Sequence, residues 1–354
     1  ERSVNSDFTL LCRLQLELVT ALGALTDLDA APALSARLRE YLLKAAGNGL
    51  DGLAATRLIS VFNDRLTSRI IELTARRHRL PPVAWCWLAL GSEGRHEQTF
   101  VTDQDNGLIF NAVSEQEAVA MRQLFLPFAQ EVNQHLADCG FALCSGQIMA
   151  GNPAWCLSFE EWRSRFIDWV RRPEPEALLN ASIFFDLRPL FGELALGEKL
   201  RTLLLSMTVA TPSFQHLMAA NALQADVPLN YRGEVSVGEG GAIDLKKYGS
   251  RIFVDAARIF ALSSGVTAVS TAERLYEAGP SVGLPAAEIA AVNAGFSHIL
   301  RLRLAQQIEA IAIGEPAGYG LKPAVLHDMD RAILREALKQ AKRLQQRLKL
   351  NYAL

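Results

Sequence analysis

The segment that most constrains the fold of this chain is LGSEGRHEQTFVTDQDNGLIF, residues 90–110. An apolar run of strand length, residues 83–90, ends at Gly91-Ser92, and a second apolar run covers residues 107–110. A polar loop that ends in Asp-Gln-Asp joins the two runs. Two short apolar runs joined by a polar loop that opens on a glycine turn predict neighbouring strands at the centre of a domain.

Asp103 and Asp105 are two positions apart, immediately before the second apolar run. In extended backbone, side chains at i and i+2 point to the same side, with a spacing of about 6 to 7 Å. Two carboxylates at that spacing repel each other unless a divalent cation lies between them. Mg²⁺ favours one or two carboxylates plus phosphate oxygens, and Mn²⁺ accepts similar ligands. The pair therefore predicts a site for Mg²⁺ or Mn²⁺.

Gly91 and Ser92 are suited to contact a phosphate group. Gly91 has no β-carbon, so backbone amides can approach an anion closely, and the Ser92 hydroxyl can donate to a phosphate oxygen. A phosphate site beside a metal pair is typical of phosphoryl or nucleotidyl transfer. The alternative is structural, because a single Asp-x-Asp is also common in turns and calcium loops.

Most of the remaining chain is predicted to be helical. Leucines and alanines recur at three- and four-residue spacing in residues 10–43 and 52–79, and Ser114 to Glu117 form a capping box that starts a helix over 114–139. We expect a third strand over 141–150 and a loop or small hairpin over 231–248. Further helices are predicted over 176–195, 197–209, 213–225, 251–264, 270–277, 286–312 and 328–350.

Composition excludes several classes of protein. With 354 residues, 50% of them hydrophobic and 21% charged, the chain can form two globular domains. No apolar run has the length of a membrane helix and no leader is recognisable, so we expect a cytoplasmic protein with no membrane partner. A net charge of −2 gives no general attraction for nucleic acid. Five cysteines without a Cys-x-x-Cys pair predict buried free thiols rather than a zinc site.

Residues 90–110, together with FFDLRPLFG and AIDLKKYG, resemble the polymerase-β-like nucleotidyltransferase superfamily. Within it, the chain is most similar to nucleotidyltransferase-like proteins related to the PII-protein uridylyltransferase. The resemblance covers residues 10–350 and implies an α+β fold, with a small polymerase-β-like nucleotidyltransferase sheet, flanking helices and an all-α helical bundle at the C-terminus. It implies N-terminal helices over 1–80, a nucleotidyltransferase core over 81–165 and a helical substrate-binding domain over 170–354.

The same resemblance implies roles for individual residues. It places Gly91 and Ser92 at the nucleotide phosphates and makes Asp103 and Asp105 catalytic metal ligands. Arg95, Glu97 and Gln98 belong to the same block, which implies that they bind the nucleotide triphosphate or fix the loop. The planar guanidinium of Arg95 matches two phosphate oxygens, whereas the Glu97 carboxylate is equally suited to order the loop.

Active members of the superfamily usually supply a third carboxylate from a later strand. Residues 141–150 contain no acidic side chain. Asp186 is the nearest substitute and is therefore our third catalytic candidate, although an ion pair between Asp186 and Arg188 is the structural alternative. This departure puts full catalytic activity in question.

Two functions are consistent with these residues. The first is Mg²⁺-dependent transfer of a nucleoside monophosphate from an NTP to an acceptor hydroxyl, on a protein or a small molecule. The second is a nucleotide-binding sensor in a signalling protein, favoured by the missing third carboxylate. In the family, these domains often follow CBS or cyclic-nucleotide-binding domains, which implies fused or partner regulatory domains.

Overall fold

The computed structural model describes residues 2–238, 240–318 and 320–354, with side chains from residue 11 onward. The chain divides into two compact units. The first unit comprises residues up to 50, 57–163 and 188–200, and the second comprises 51–56, 164–187 and 201 onward. Within the described residues, no helix combines the length and apolarity required to cross a membrane.

The first part of the chain alternates long helices with short strands. In chain order it forms α1 (Arg2–Ala24), α2 (Ala31–Gly47), α3 (Gly52–Ala75), β1 (Trp85–Ala89), α4 (Gly91–Gly94), β2 (Asn106–Phe110), α5 (Glu115–Asp138), β3 (Cys156–Ser158), α6 (Phe159–Arg171), α7 (Pro175–Phe184), β4 (Arg188–Gly192) and α8 (Leu194–Val209). The predicted capping box is confirmed, because the Ser114 side chain accepts a hydrogen bond from the Glu117 amide at the start of α5.

The remaining chain is mostly helical. It forms α9 (Pro212–Ala222), β5 (Ile243–Asp244), one π-helical turn (Lys246–Ser250), α10 (Arg251–Ser264), α11 (Thr271–Ala278), α12 (Ala286–Ala312), β6 (Gly320–Leu321) and α13 (Asp328–Tyr352). The predicted helices over 251–264 and 286–312 have these bounds in the structure. The α+β fold class is confirmed.

The first unit contains a mixed four-stranded sheet in the order β3-β2-β1-β4. The central strand β1 is antiparallel to both β2 and β4, whereas β2 is parallel to β3. Ala89, at the end of β1, pairs with Asn106 on one side and with Arg188 on the other. The segment after β1, the segment before β2 and the first residue of β4 therefore meet at the same end of these three strands.

Aromatic side chains form the core against this sheet. Trp85 of β1 lies 5.3 Å from Phe128 and 6.0 Å from Phe125 of α5, measured between ring centroids. Trp85 is also 5.9 Å from Phe191 of β4. The Trp162 indole of α6 donates to the Leu108 carbonyl at 3.1 Å. Because both faces of β1 and β2 are buried, their sequences are nearly continuous apolar runs rather than alternating ones.

In the second unit, α10 is the central helix. Eleven consecutive residues of α10, from Ile252 to Leu262, are buried, as expected for a helix surrounded by others. The segment over 231–248 is mainly a loop in its described residues: Val235 forms an isolated antiparallel bridge with Leu229, and β5 pairs with β6. Its glycine-rich part includes Glu239, which lies outside the described residues.

Two predictions of secondary structure were wrong. The expected third strand over 141–150 is a loop with one isolated bridge, between Asp103 and Ala142, because Gln147 adopts a left-handed conformation that interrupts extended backbone. The expected helix over 176–195 ends at Phe184, and the edge strand β4 follows it. Pro189 lacks the amide hydrogen that a continuing helix requires.

Candidate active site at the end of the first strand

Gly91 lies directly against Asp105. The Leu90 amide donates to the Asp105 carbonyl at 2.9 Å, which joins the end of β1 to the Asp-x-Asp segment. Gly91 has a φ of +54°, and a β-carbon at this position would be 2.9 Å from Asp105 Oδ2. Both the backbone conformation and the lack of space favour glycine.

The two aspartates share one space with a cysteine. A carboxylate oxygen of Asp103, one of Asp105 and the sulfur of Cys144 all lie within 4.8 Å of one another. Asp103 is exposed and Asp105 is half-buried, whereas Cys144 is 6% exposed. Two carboxylates that open to solvent beside a glycine without a β-carbon fit a divalent cation and its phosphate ligand.

Gln104, between the two aspartates, is anchored in the interior. Its side-chain amide donates to the Asn133 carbonyl at 2.9 Å and to the Phe141 carbonyl at 3.1 Å. Asn133 in turn donates to the side-chain oxygens of Gln104, at 2.9 Å, and Asn106, at 3.0 Å. The Asn106 side chain also accepts from the Ala150 amide at 2.8 Å. This buried network fixes the backbone that carries the two aspartates.

Glu93 is a further acidic residue near the pair, and sequence reasoning missed it. It lies in α4 and is 7% exposed. Burial, with additional repulsion from Asp64 and Asp105, raises the pKa of Glu93 to about 8, although Arg188 opposes the shift. Glu93 is therefore mainly protonated at neutral pH. Its position in the glycine turn, one residue after Ser92, was the available signal.

Arg188 joins three elements of the first unit. From the start of β4, its guanidinium donates to both carboxylate oxygens of Asp64 on α3, at 2.9 and 2.8 Å. It also donates to the Glu93 carbonyl at 3.0 Å and to the Gly94 carbonyl at 3.2 Å. This ion pair, made through Nη2 of Arg188, and the two backbone contacts together fix α4 relative to α3 and β4.

The predicted nucleotide-binding residues after α4 have partners within the protein. Arg95 Nε is 2.8 Å from Glu97 Oε2, and both side chains are largely buried. Gln98 accepts a hydrogen bond from Asn63 Nδ2 at 3.1 Å, and the Gln98 amide donates to a serine hydroxyl of α3 at 3.0 Å. These contacts order the loop, and contact with a nucleotide stays a prediction for all three residues.

The half-buried Ser92 differs from these loop residues. Its hydroxyl makes no hydrogen bond to any described part of the protein, although its carbonyl accepts from the Glu97 amide at 2.9 Å. The hydroxyl is therefore available to a ligand.

Asp186 is engaged by two arginines of the second unit. Arg258 donates to its two oxygens at 2.9 and 2.6 Å, and Arg274 Nη1 lies 2.5 Å from Oδ1. Burial lowers the pKa of Arg258, but Asp186 and Asp255 outweigh this and raise it. Asp186 is fully buried in a turn, not in a helix. The alternative pairing with Arg188 was wrong, because Arg188 binds Asp64.

The glycine turn and the adjacent aspartate pair meet where strand β1 ends and strand β2 begins, in the part of the chain that a family model covers. Residues 36–176 match the family model described as "Putative nucleotidyltransferase DUF294", and residues 212–352 match "Putative nucleotidyltransferase substrate binding domain". The chain therefore belongs to this nucleotidyltransferase family. A search of curated proteins found no match.

Proposed function

We propose that the protein transfers a nucleoside monophosphate from an NTP to an acceptor hydroxyl, with a divalent cation, Mg²⁺ or Mn²⁺, as cofactor. The acceptor is a protein or a small molecule, as in a PII-uridylyltransferase-like reaction. One observation carries this proposal: Gly91, Asp103 and Asp105 meet at one strand end, in the part of the chain that matches the family model described as "Putative nucleotidyltransferase DUF294". Because the NTP pool is cytoplasmic, the cytoplasm is the proposed compartment.

Asp103 and Asp105 would hold the cation through one carboxylate oxygen each. A bound divalent cation orients the phosphates and neutralises charge that develops on the oxygens during transfer. Gly91 lies directly against Asp105, so the backbone of the glycine turn runs beside the cation site, where the phosphates would be bound. The Ser92 hydroxyl would donate to a phosphate oxygen. Gln104 and its buried partners hold both carboxylates in position before the nucleotide binds.

Glu93 and Arg188 support the site without adding negative charge to it. Because the pKa of Glu93 is about 8, the side chain is protonated at neutral pH and does not repel a triphosphate. Arg188 fixes the backbone of α4 through the carbonyls of Glu93 and Gly94. Both are positioning residues in this proposal.

The second candidate function is a sensor that binds the nucleotide without turning it over. It is favoured by Asp186, the only third carboxylate that the sequence suggested, because both of its oxygens are bound by arginines. Such a module would pass its output to fused or partner domains in signal transduction, of the CBS or cyclic-nucleotide-binding type.

A paired assay separates the two functions. Binding of each NTP is measured with and without Mg²⁺ or Mn²⁺, and pyrophosphate release is followed with serine, threonine and tyrosine peptides and small alcohols as acceptors. Cation-dependent binding with pyrophosphate release supports the transferase, and cation-dependent binding without release for any acceptor supports the sensor. NTP binding that is absent with every cation contradicts both.

A further inference from the structure

Cys144 differs from the other cysteines in its surroundings. Cys86 and Cys156 are buried in strands β1 and β3, Cys12 is exposed, and Cys139 follows α5. Within the described chain, only Cys144 belongs to a group of three side chains whose donor atoms could share a metal ion. Its sulfur and one oxygen of each aspartate are mutually within 4.8 Å.

The backbone holds Cys144 in this place from both ends of its loop. Ala142 forms a bridge with Asp103, and the Ala142 carbonyl accepts from the Gln104 amide at 2.8 Å. After the cysteine, the Ile148 carbonyl accepts from the Asn106 amide at 3.1 Å. The thiol is therefore positioned by the same segment that carries the aspartates, and its location does not depend on a flexible side chain.

The loop over 141–150 is the segment in which the sequence predicted a strand that lacks the third carboxylate. The structure brings this segment to the aspartate pair, but the side chain that reaches the pair is a thiol. Cys144 is buried, and its sulfur lies within 4.8 Å of a carboxylate oxygen of Asp105. A sulfur atom thus lies beside one carboxylate oxygen of each aspartate.

We propose that Cys144 is a third ligand of the cation held by Asp103 and Asp105. This inference rests on the proposed function and narrows its cation: an O,O,S ligand set favours Mn²⁺ over Mg²⁺, because first-row transition metals accept sulfur ligands better. The more thiophilic Co²⁺ and Zn²⁺ serve as spectroscopic probes of the same site. Cys144 would bind as the thiolate, since metal-bound thiols are deprotonated.

Cobalt spectroscopy of the full chain tests this directly. Co²⁺ is titrated into chelator-treated protein without nucleotide, and the near-ultraviolet thiolate-to-cobalt charge-transfer band is recorded. We expect the band in the wild type and in the matched control Cys139→Ser, and we expect no band in Cys144→Ser. Cys144→Ser should bind Co²⁺ at least about tenfold more weakly and Mg²⁺ with unchanged affinity.

A second measurement needs no variant and covers the case in which Cys144→Ser does not fold. X-ray absorption of the Zn²⁺-loaded wild type should show one sulfur neighbour at about 2.3 Å from the metal. Only oxygen and nitrogen neighbours, or a cobalt band that persists in folded Cys144→Ser, overturns the role of Cys144.

Failure of the Cys144 proposal can be distinguished from failure of the proposed function. If cation-dependent NTP binding is present but the sulfur signal is absent, the cysteine proposal fails and the aspartate site remains. If Asp103→Asn leaves cation-dependent NTP binding unchanged, the proposed function itself fails, whatever the cysteine shows.

Discussion

Gly91 and Asp105 are in such close contact that a β-carbon on Gly91 would be 2.9 Å from Asp105 Oδ2. Gly91 follows the central strand β1, and Asp105 precedes the neighbouring strand β2. The contact therefore places the glycine turn and the aspartate pair in one site, although the two residues are separated by a polar loop in sequence.

Gly91→Ala should weaken cation-dependent NTP binding by about tenfold or more, because its methyl group fills the space beside Asp105 and displaces the carboxylate. It should also reduce the free energy of unfolding by about 1–2 kcal/mol, since alanine is strained at a positive φ. Calorimetric NTP titration with Mn²⁺ and urea unfolding measure the two effects.

Gly140→Ala is the matched control for this substitution. Gly140 also has a positive φ, +96°, but a β-carbon there meets no atom within 4 Å. It should lose stability while NTP affinity remains unchanged. Equal losses of affinity in both variants would show that backbone strain, rather than crowding of Asp105, is responsible.

Asn133→Ala should lower the free energy of unfolding by about 2–4 kcal/mol, because it leaves the buried side chains of Gln104 and Asn106 without their donor. Cation affinity should fall as well, since the Asp-x-Asp backbone loses its anchor. Urea unfolding and Mn²⁺ titration test both effects.

Gln130→Ala is the control for Asn133→Ala. It removes only an exposed hydrogen bond to the Gly151 carbonyl, so it should lower the free energy of unfolding by less than about 1 kcal/mol. A cost for Asn133→Ala as small as that of the control would contradict the anchoring role.

Glu93→Gln should stabilise the protein at alkaline pH. Because the folded-state pKa, about 8, is above the ordinary carboxyl value of 4.5, this group's stabilisation is full below pH 4.5 and is lost as the pH rises to 8. Glutamine does not titrate, so Glu93→Gln does not lose stability in this way as the pH rises. In chelator, its free energy of unfolding relative to the wild type should therefore increase by about 2–4 kcal/mol between pH 5 and pH 8.

Glu97→Gln serves as the comparison for Glu93→Gln. Glu97 forms an ion pair with Arg95 at 2.8 Å, so its amide variant should lose stability instead of gaining it at pH 8. Chemical unfolding of both variants across this pH range gives the comparison. If the free energies of unfolding of the wild type and Glu93→Gln change in parallel from pH 5 to pH 8, Glu93 is not neutral in the folded protein.

Asp186→Asn should destabilise the protein by about 3–5 kcal/mol, because it removes the buried carboxylate that Arg258 and Arg274 share, although Arg258 retains Asp255. The fraction that remains folded should bind NTP and Mn²⁺ with unchanged affinity, as judged by titration below the unfolding temperature. A variant of normal stability that binds NTP but releases no pyrophosphate would instead assign Asp186 to the chemistry.

Short-range sequence patterns correctly predicted two central strands and one helix of the first unit. Apolar runs of strand length predicted β1 and β2, and the capping box predicted α5. The spacing of Asp103 and Asp105 predicted that their carboxylates share one space, which depends only on the geometry of extended backbone.

Tertiary contacts determine the remainder. Strand β4 forms because β1 offers it an edge, and Asp186 meets its arginines 72 and 88 positions later in the chain. The raised pKa of Glu93 and the position of Cys144 both result from burial by distant segments. A single sequence shows which side chains are acidic or thiol-bearing, but not which of them are removed from water.

The most direct test of the proposed site is the NTP affinity of the wild type, Asp103→Asn and Asp105→Asn, each with Mn²⁺ and with chelator. Asp138→Asn is the control, because Asp138 accepts only an exposed hydrogen bond from Gln134 at the end of α5. We predict that Mn²⁺ increases NTP affinity by about tenfold or more in the wild type and the control, and by less than about twofold in either site variant. An equal Mn²⁺ effect in all four proteins would contradict the assignment of Asp103 and Asp105 as the cation site.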